Sequence, residues 1–214
     1  MRITLSRSCL AMASLLAALG ASPSWASDQS RDLPTFTSIT SEGAYKMTVN
    51  IGQKQAVVVS GSDAALGKIT TKVVDNTLVV STTERSHTFG DGDVVISINV
   101  EQLGQFRMEG AGKTTINNIS GDRFRLNYQG VGLLKATGKV QNFVLKAEGV
   151  GSVDARELNA QHVDVNLQGV GSAKVRASES LRAKLEGIGS LTYYGKPSLV
   201  SKSVDGIGRV AAGD

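Results

Sequence analysis

The chain has 214 residues, a length that suits one domain, and a formal net charge of +4. Its lysines and arginines are dispersed among acids, which excludes the clustered basic face of a nucleic-acid binder. One cysteine, Cys9, excludes a disulfide framework, and its position near the start excludes a thiolate site in the body of the chain.

Residues 1–26 have the layout of a signal peptide. Arg2 and Arg7 supply a positive start, Cys9 to Gly20 an apolar stretch, and Ser24-Trp25-Ala26 the small residues of a cleavage site. Cleavage after Ala26 removes the cysteine and two of the 23 basic residues, leaving 21 against 19 acids. No stretch reaches the ~18 uninterrupted apolar residues of a membrane span. The expectation is an exported protein.

Residues 27–214 then form a single domain, β-rich over 27–103 and regularly repeating over 104–214. Met47, Val49 and Ile51 alternate with polar residues. Ala56–Val59, Lys72–Val74, Leu78–Val80 and Val94–Val100 are short β-branched runs, and Asp75-Asn76 is a turn signal between two of them. Glu84 to Asp93 is a polar loop containing His87, Asp91 and Asp93. No proline lies between Pro34 and Pro197, so backbone donors are free for ladders.

Six Gly-x-Gly triplets begin at Gly110, Gly130, Gly149, Gly169, Gly187 and Gly206 and close at Gly112, Gly132, Gly151, Gly171, Gly189 and Gly208. The steps are 20, 19, 20, 18 and 19 residues, the fixed period of a repeat architecture. Before each triplet, apolar residues fall at every second position, as in Leu126 and Tyr128, Leu145 and Ala147, or Val165 and Leu167. Each repeat therefore reads as a strand, a glycine corner and a second strand. Stacked, about six such coils of 18–20 residues make an all-β, right-handed parallel β-helix or β-solenoid, with the N-terminal segment packed on or capping the first coil. The middle residues Val131, Val150, Val170, Ile188 and Ile207 are expected to turn inward or lie part-buried at the corners.

Two outward positions carry a second pattern. Charged coils (Arg107/Glu109, Lys146/Glu148, Lys184/Glu186) alternate with amide coils (Asn127/Gln129, Asn166/Gln168). Like charges stacked at one strand spacing destabilise a sheet, so the amide layers read as spacers. Lys146, Glu148, Lys184 and Glu186 also form a candidate ligand face.

The signal peptide, the apolar-x-apolar-Glu/Gln-Gly-Val-Gly units, and Tyr193-Tyr194-Gly195-Lys196-Pro197 followed by Val204-Asp205-Gly206-Ile207-Gly208 together resemble one family. This is the bacterial auto-transporter adhesin head GIN domain family, and the likeness runs from about Phe36 to Gly213. The resemblance implies a β-helix-like envelope or secreted protein and carries over no catalytic residues. After Gly208 the chain holds too few residues for the translocator barrel of an auto-transporter, so a head without its own translocator is expected.

Other chemistry is weakly represented. Gly110-Ala111-Gly112-Lys113-Thr114 mimics the end of a phosphate-binding loop, but Arg107 stands where that motif needs glycine, and Thr115-Ile116-Asn117 reads as strand rather than helix. His87 and His162 are too far apart for a paired metal motif, and no serine sits in a nucleophile elbow. No cofactor is expected. The reading is a non-enzymatic envelope or surface module that binds a glycan or an envelope protein. The alternative is a polysaccharide-acting enzyme using Lys146, Glu148, Lys184 and Glu186. A flat ladder face favours the first reading, and a walled groove with converging carboxylates the second.

Overall fold

The structure, a computed structural model, describes residues 27–83 and 94–213. The expected signal segment, and the loop with Glu84, His87, Asp91 and Asp93, lie outside the described residues. The N-terminal part contains β1 (Ser27–Arg31), β2 (Ser38–Glu42), β3 (Ala44–Ile51), β4 (Ala56–Gly61), the single-turn helix α1 (Asp63–Leu66), β5 (Ile69–Val74), β6 (Thr77–Thr82), β7 (Val94–Val100) and β8 (Gln105–Met108). The repeating part contains β9 (Ala111–Tyr128), β10 (Val131–Ala147), β11 (Val150–Leu167), β12 (Val170–Leu185), β13 (Ile188–Tyr194), β14 (Leu199–Val204) and β15 (Ile207–Ala212).

The fold is the parallel β-solenoid that the triplets imply. β9 to β12 are bent strands of 16–18 residues, each pairing in parallel with the next along its whole length. At the glycine corner the register never slips: Ala111, Val131, Val150, Val170, Ile188 and Ile207 are successive partners. The second corner of each coil absorbs the difference between 18- and 20-residue steps, with register shifts at Lys135/Thr137 and Ala155/Asn159.

Two physical reasons fix glycine at the first corner. Gly151 has φ of +144°, a backbone state that side chains resist. A Cβ on Gly169 would lie 2.0 Å from the carbonyl oxygen of Gly149 in the coil beneath, so the two backbones could not stack.

Alternate residues point inward and stack into columns. One runs Leu78, Ile39, Phe106, Leu126, Leu145, Val165, Ala183, Lys202, in that spatial order. All its members except Lys202 are buried, whereas Lys146 and Lys184 on the opposite face are exposed, and Asn127 and Asn166 are half-buried. Phe124 and Phe143 stack inside at 6.3 Å between ring centroids. Tyr45 is also interior; its hydroxyl donates to the Val80 carbonyl at 2.9 Å and accepts from Ser41 Oγ at 3.0 Å. Burial pushes its pKa well above the usual phenol range.

The N-terminal part does more than cover a first coil. β2 and β3 flank Gly43 as later strands flank the triplets: β2 pairs in parallel with β8, and β3 with β9. The corner Glu42-Gly43-Ala44-Tyr45 lies under Glu109-Gly110-Ala111-Gly112, with Gly43 O accepting from the Ala111 amide at 2.9 Å. On the other side of β2 and β3 lie β6 and β7, also parallel. Spatial order thus departs from chain order, because β6 and β7 sit outside β2 and β3. Antiparallel strands then close this end: β4 on β7, β1 on β4, and β5 on β6 through a tight Asp75-Asn76 hairpin with φ of 47° and 59°. On the outward face of these coils, part-buried Asn99, Asn50 and Asn117 bond side chain to side chain across three strands at 3.1 and 3.0 Å.

Candidate binding faces

The corner glycines form two continuous columns. Gly112, Gly132, Gly151, Gly171, Gly189 and Gly208 are register partners in succession. A Cβ on Gly130, Gly149, Gly169, Gly187 or Gly206 would clash with the carbonyl oxygen of the one before, and a Cβ on Gly110 with that of Gly43. Between the columns stands the residue whose direction determines the surface there.

That residue points outward, which overturns the inward expectation for Val131, Val150, Val170, Ile188 and Ile207. They are 58%, 50%, 49%, 54% and 74% exposed. At the Val131 and Val150 corners the space inside is already occupied. Tyr128 reaches into it, its hydroxyl 3.0 Å from the carbonyl oxygens of Gly132 and Val150. A Cβ on Gly151 would stand 2.6 Å from that hydroxyl, and one on Gly149 would lie 2.8 Å from the ring. Strict alternation therefore continues through the corner, and the middle residues form an exposed aliphatic column, widened by Leu133 at 54% exposure.

Beside this column runs the charged and amide ladder. Lys146 is ion-paired with Glu148 within its own coil, as are Arg107 with Glu109 and Lys184 with Glu186. The structure separates the Lys146/Glu148 pair from Lys184/Glu186 by the Asn166/Gln168 coil. The amides bridge as well as space. Gln129 accepts from Arg107 Nη2 at 2.9 Å and donates to Glu148 at 2.8 Å, and Gln168 donates to Glu186 at 2.6 Å. The Lys146 ammonium, then the Gln129 amide, hold the Glu148 carboxyl below its usual range; Lys184 and Gln168 do the same for Glu186. The charges of the ladder satisfy one another.

A third feature is an open groove of about 590 Å³ across five stacked strands, β9 to β12 and β14, lined among others by Arg123, Asn142, His162, Asp164, Ser180 and Arg182. His162, isolated in sequence, meets Ser180 Oγ at 2.9 Å through Nδ1 and lies 3.6 Å from Glu179. Only stacking at the coil period reveals that neighbourhood. Among the described residues that line the groove, Asp164 is the single carboxylate, and Arg182 stands 3.8 Å from it. Among the described residues no three His, Cys, Asp or Glu side chains gather as metal ligands, and no helix is long and apolar enough to cross a membrane.

Parallel coils of this length, turning on glycine and displaying self-paired outward columns, define a short β-solenoid head domain. Residues 35–197 match the family described as "Putative auto-transporter adhesin, head GIN domain", and the chain belongs to that family. The match stops short of Gly213, so β14 and β15 lie beyond it. Among solved structures the chain is similar to a putative adhesin from Bacteroides fragilis, with TM-score 0.71 and 23% identity over 87% of this chain and 96% of that one. It is also similar to two Parabacteroides distasonis proteins. One is described as a putative adhesin (TM-score 0.53, 17% identity, 89% and 98% covered), the other as a putative lipid binding protein (TM-score 0.51, 16% identity, 90% and 98% covered). At these identities the likeness concerns the fold. No curated protein matches the chain.

Proposed function

We propose that the protein is an exported, non-enzymatic binding module of the cell envelope, and that its contact surface is the aliphatic column at the glycine corner. The observation that carries this reading is the exposure of Val131, Val150, Val170, Ile188 and Ile207 in unbroken register. A contiguous apolar strip with polar flanks is the signature of an interaction site. The strip is aliphatic and the ladder beside it is already internally paired, which favours an envelope protein over a glycan as partner. The enzyme alternative finds no support in a groove lined by one carboxylate, since glycoside cleavage ordinarily needs two. The adhesin family name points the same way.

The test is direct. Labelled protein and a Val150→Lys/Val170→Lys variant are titrated onto isolated bacterial envelopes. Wild type is expected to bind saturably. The variant, with an unchanged melting temperature because both sites are exposed, should lose at least tenfold in affinity. Equal binding by both proteins would refute the aliphatic column as the contact surface.

A further inference from the structure

Among the described residues, β14 is an edge strand at the C-terminal end of the solenoid. β14 pairs with β12 on one side, and no described strand pairs with its other edge. All six of its residues are exposed, with Leu199 at 70%, Val200 at 40% and Val204 at 45%. Such an edge presents a row of backbone donors and acceptors to any extended chain that approaches it.

Its side chains specify what would fit. The inward-column residues of β14 are Val200, Lys202 and Val204, stacked on Leu181, Ala183 and Leu185. Lys202 is thus a cation in a column that is otherwise apolar. Its ammonium is held over the Tyr193 ring, 4.6 Å from the centroid, which keeps the charge at the end face. Every repeating coil adds in parallel and in register, so a further strand would set its own residues opposite these three.

We propose that this end docks an extended segment of a partner protein carrying a carboxylate between two apolar residues at alternate positions. The segment adds as a strand on β14, its apolar residues covering Val200 and Val204 and its carboxylate meeting Lys202. A second copy of this chain is a poor occupant. In the centred antiparallel register of a two-fold dimer, Val200 meets Val204 but Lys202 meets itself, and directly opposed like charges destabilise a sheet. This docking edge is a different surface from the aliphatic column, and β14 lies outside the residues the family model matches.

The experiment uses two labelled peptides and the full chain. One peptide has the β14 sequence with glutamate in place of the lysine, and the other keeps the lysine. Fluorescence anisotropy should show the glutamate peptide binding wild type at least tenfold more tightly. Lys202→Glu, checked for an unchanged melt, should reverse that preference. Amide shifts in NMR should cluster on β14 and Tyr193. Equal binding of the two peptides, no binding of either, a preference that Lys202→Glu leaves in place, or a wild-type dimer in sedimentation would each overturn the proposal.

Discussion

The two ends of this solenoid are finished in different ways. At the N-terminal end the stack stops because strand direction reverses: β4, β1 and β5 run antiparallel to their neighbours, and the outermost strand β1 is polar, Ser27-Asp28-Gln29-Ser30-Arg31. At the C-terminal end β14 and β15 continue the parallel pattern and carry exposed Leu199, Val200, Val204 and Ile207. The shared column shows the difference in burial, from buried Phe106, Leu126, Val165 and Ala183 to exposed Lys202. In a linear repeat each coil is stabilised by its neighbours, so a coil enclosed on both sides and a coil bordered on one side differ in stability even with the same local sequence.

The largest test of that contrast is truncation within the core. Phe106→Ala, at a fully buried site between two coils, should cost about 3–5 kcal/mol in denaturant unfolding, whereas Val204→Ala at the open end should cost less than about 1 kcal/mol. Comparable losses would mean that the last coil is as tightly enclosed as the first. Between the ends, backbone contact sets the limit. Gly169→Ala drives a Cβ against the Gly149 carbonyl and should cost more than about 1 kcal/mol, while Gly104→Ala, with nothing within 4 Å of the added atom, should melt like wild type.

The smallest expected effect concerns the ladder. Gln129→Glu with Gln168→Glu removes two donors to Glu148 and Glu186 and lines up an unbroken run of carboxylates. The loss should be the smallest of the three and greater at low than at high salt, because screening acts on exposed charges. The pH dependence has a definite sign. Glu148 and Glu186 have lowered folded-state pKa values, so their wild-type contribution is present above the ordinary glutamate range and is lost as pH falls through the folded value. Repulsion in the variant also disappears on acidification, so the two melting curves should converge. A difference that is the same at both salt concentrations and unchanged at low pH would show that the alternation is not electrostatic.

Much of the repeating half was legible because one signal appears six times. Period-2 alternation and the triplets place Leu126, Leu145, Val165 and Ala183 inside without any knowledge of contacts. The coil of β2 and β3 was hidden for a physical reason: Tyr45 stands where later coils have the second glycine, and its ring fills the corner interior. The partners of that coil are also remote in sequence, so no short-range pattern announces them. The direction of Val150 was misjudged because Tyr128, a residue of another coil, occupies the corner beside it. The ladder was visible as alternation, but the bridging by Gln129 and Gln168 requires side-chain geometry.

The crossed order of the N-terminal coils has a consequence for folding. Val131 reaches its partner Val150 after 19 residues, whereas Ile39 meets Phe106 only after 67. The longer closure costs roughly 1 kcal/mol more in chain entropy, and local pairings form faster than remote ones. A chain emerging from its N-terminus therefore exposes Ile39, Met47 and Val49 first and satisfies them late. The regular half can zip coil upon coil on its own, and the closed end then assembles against it, so the part made first is the part that folds last.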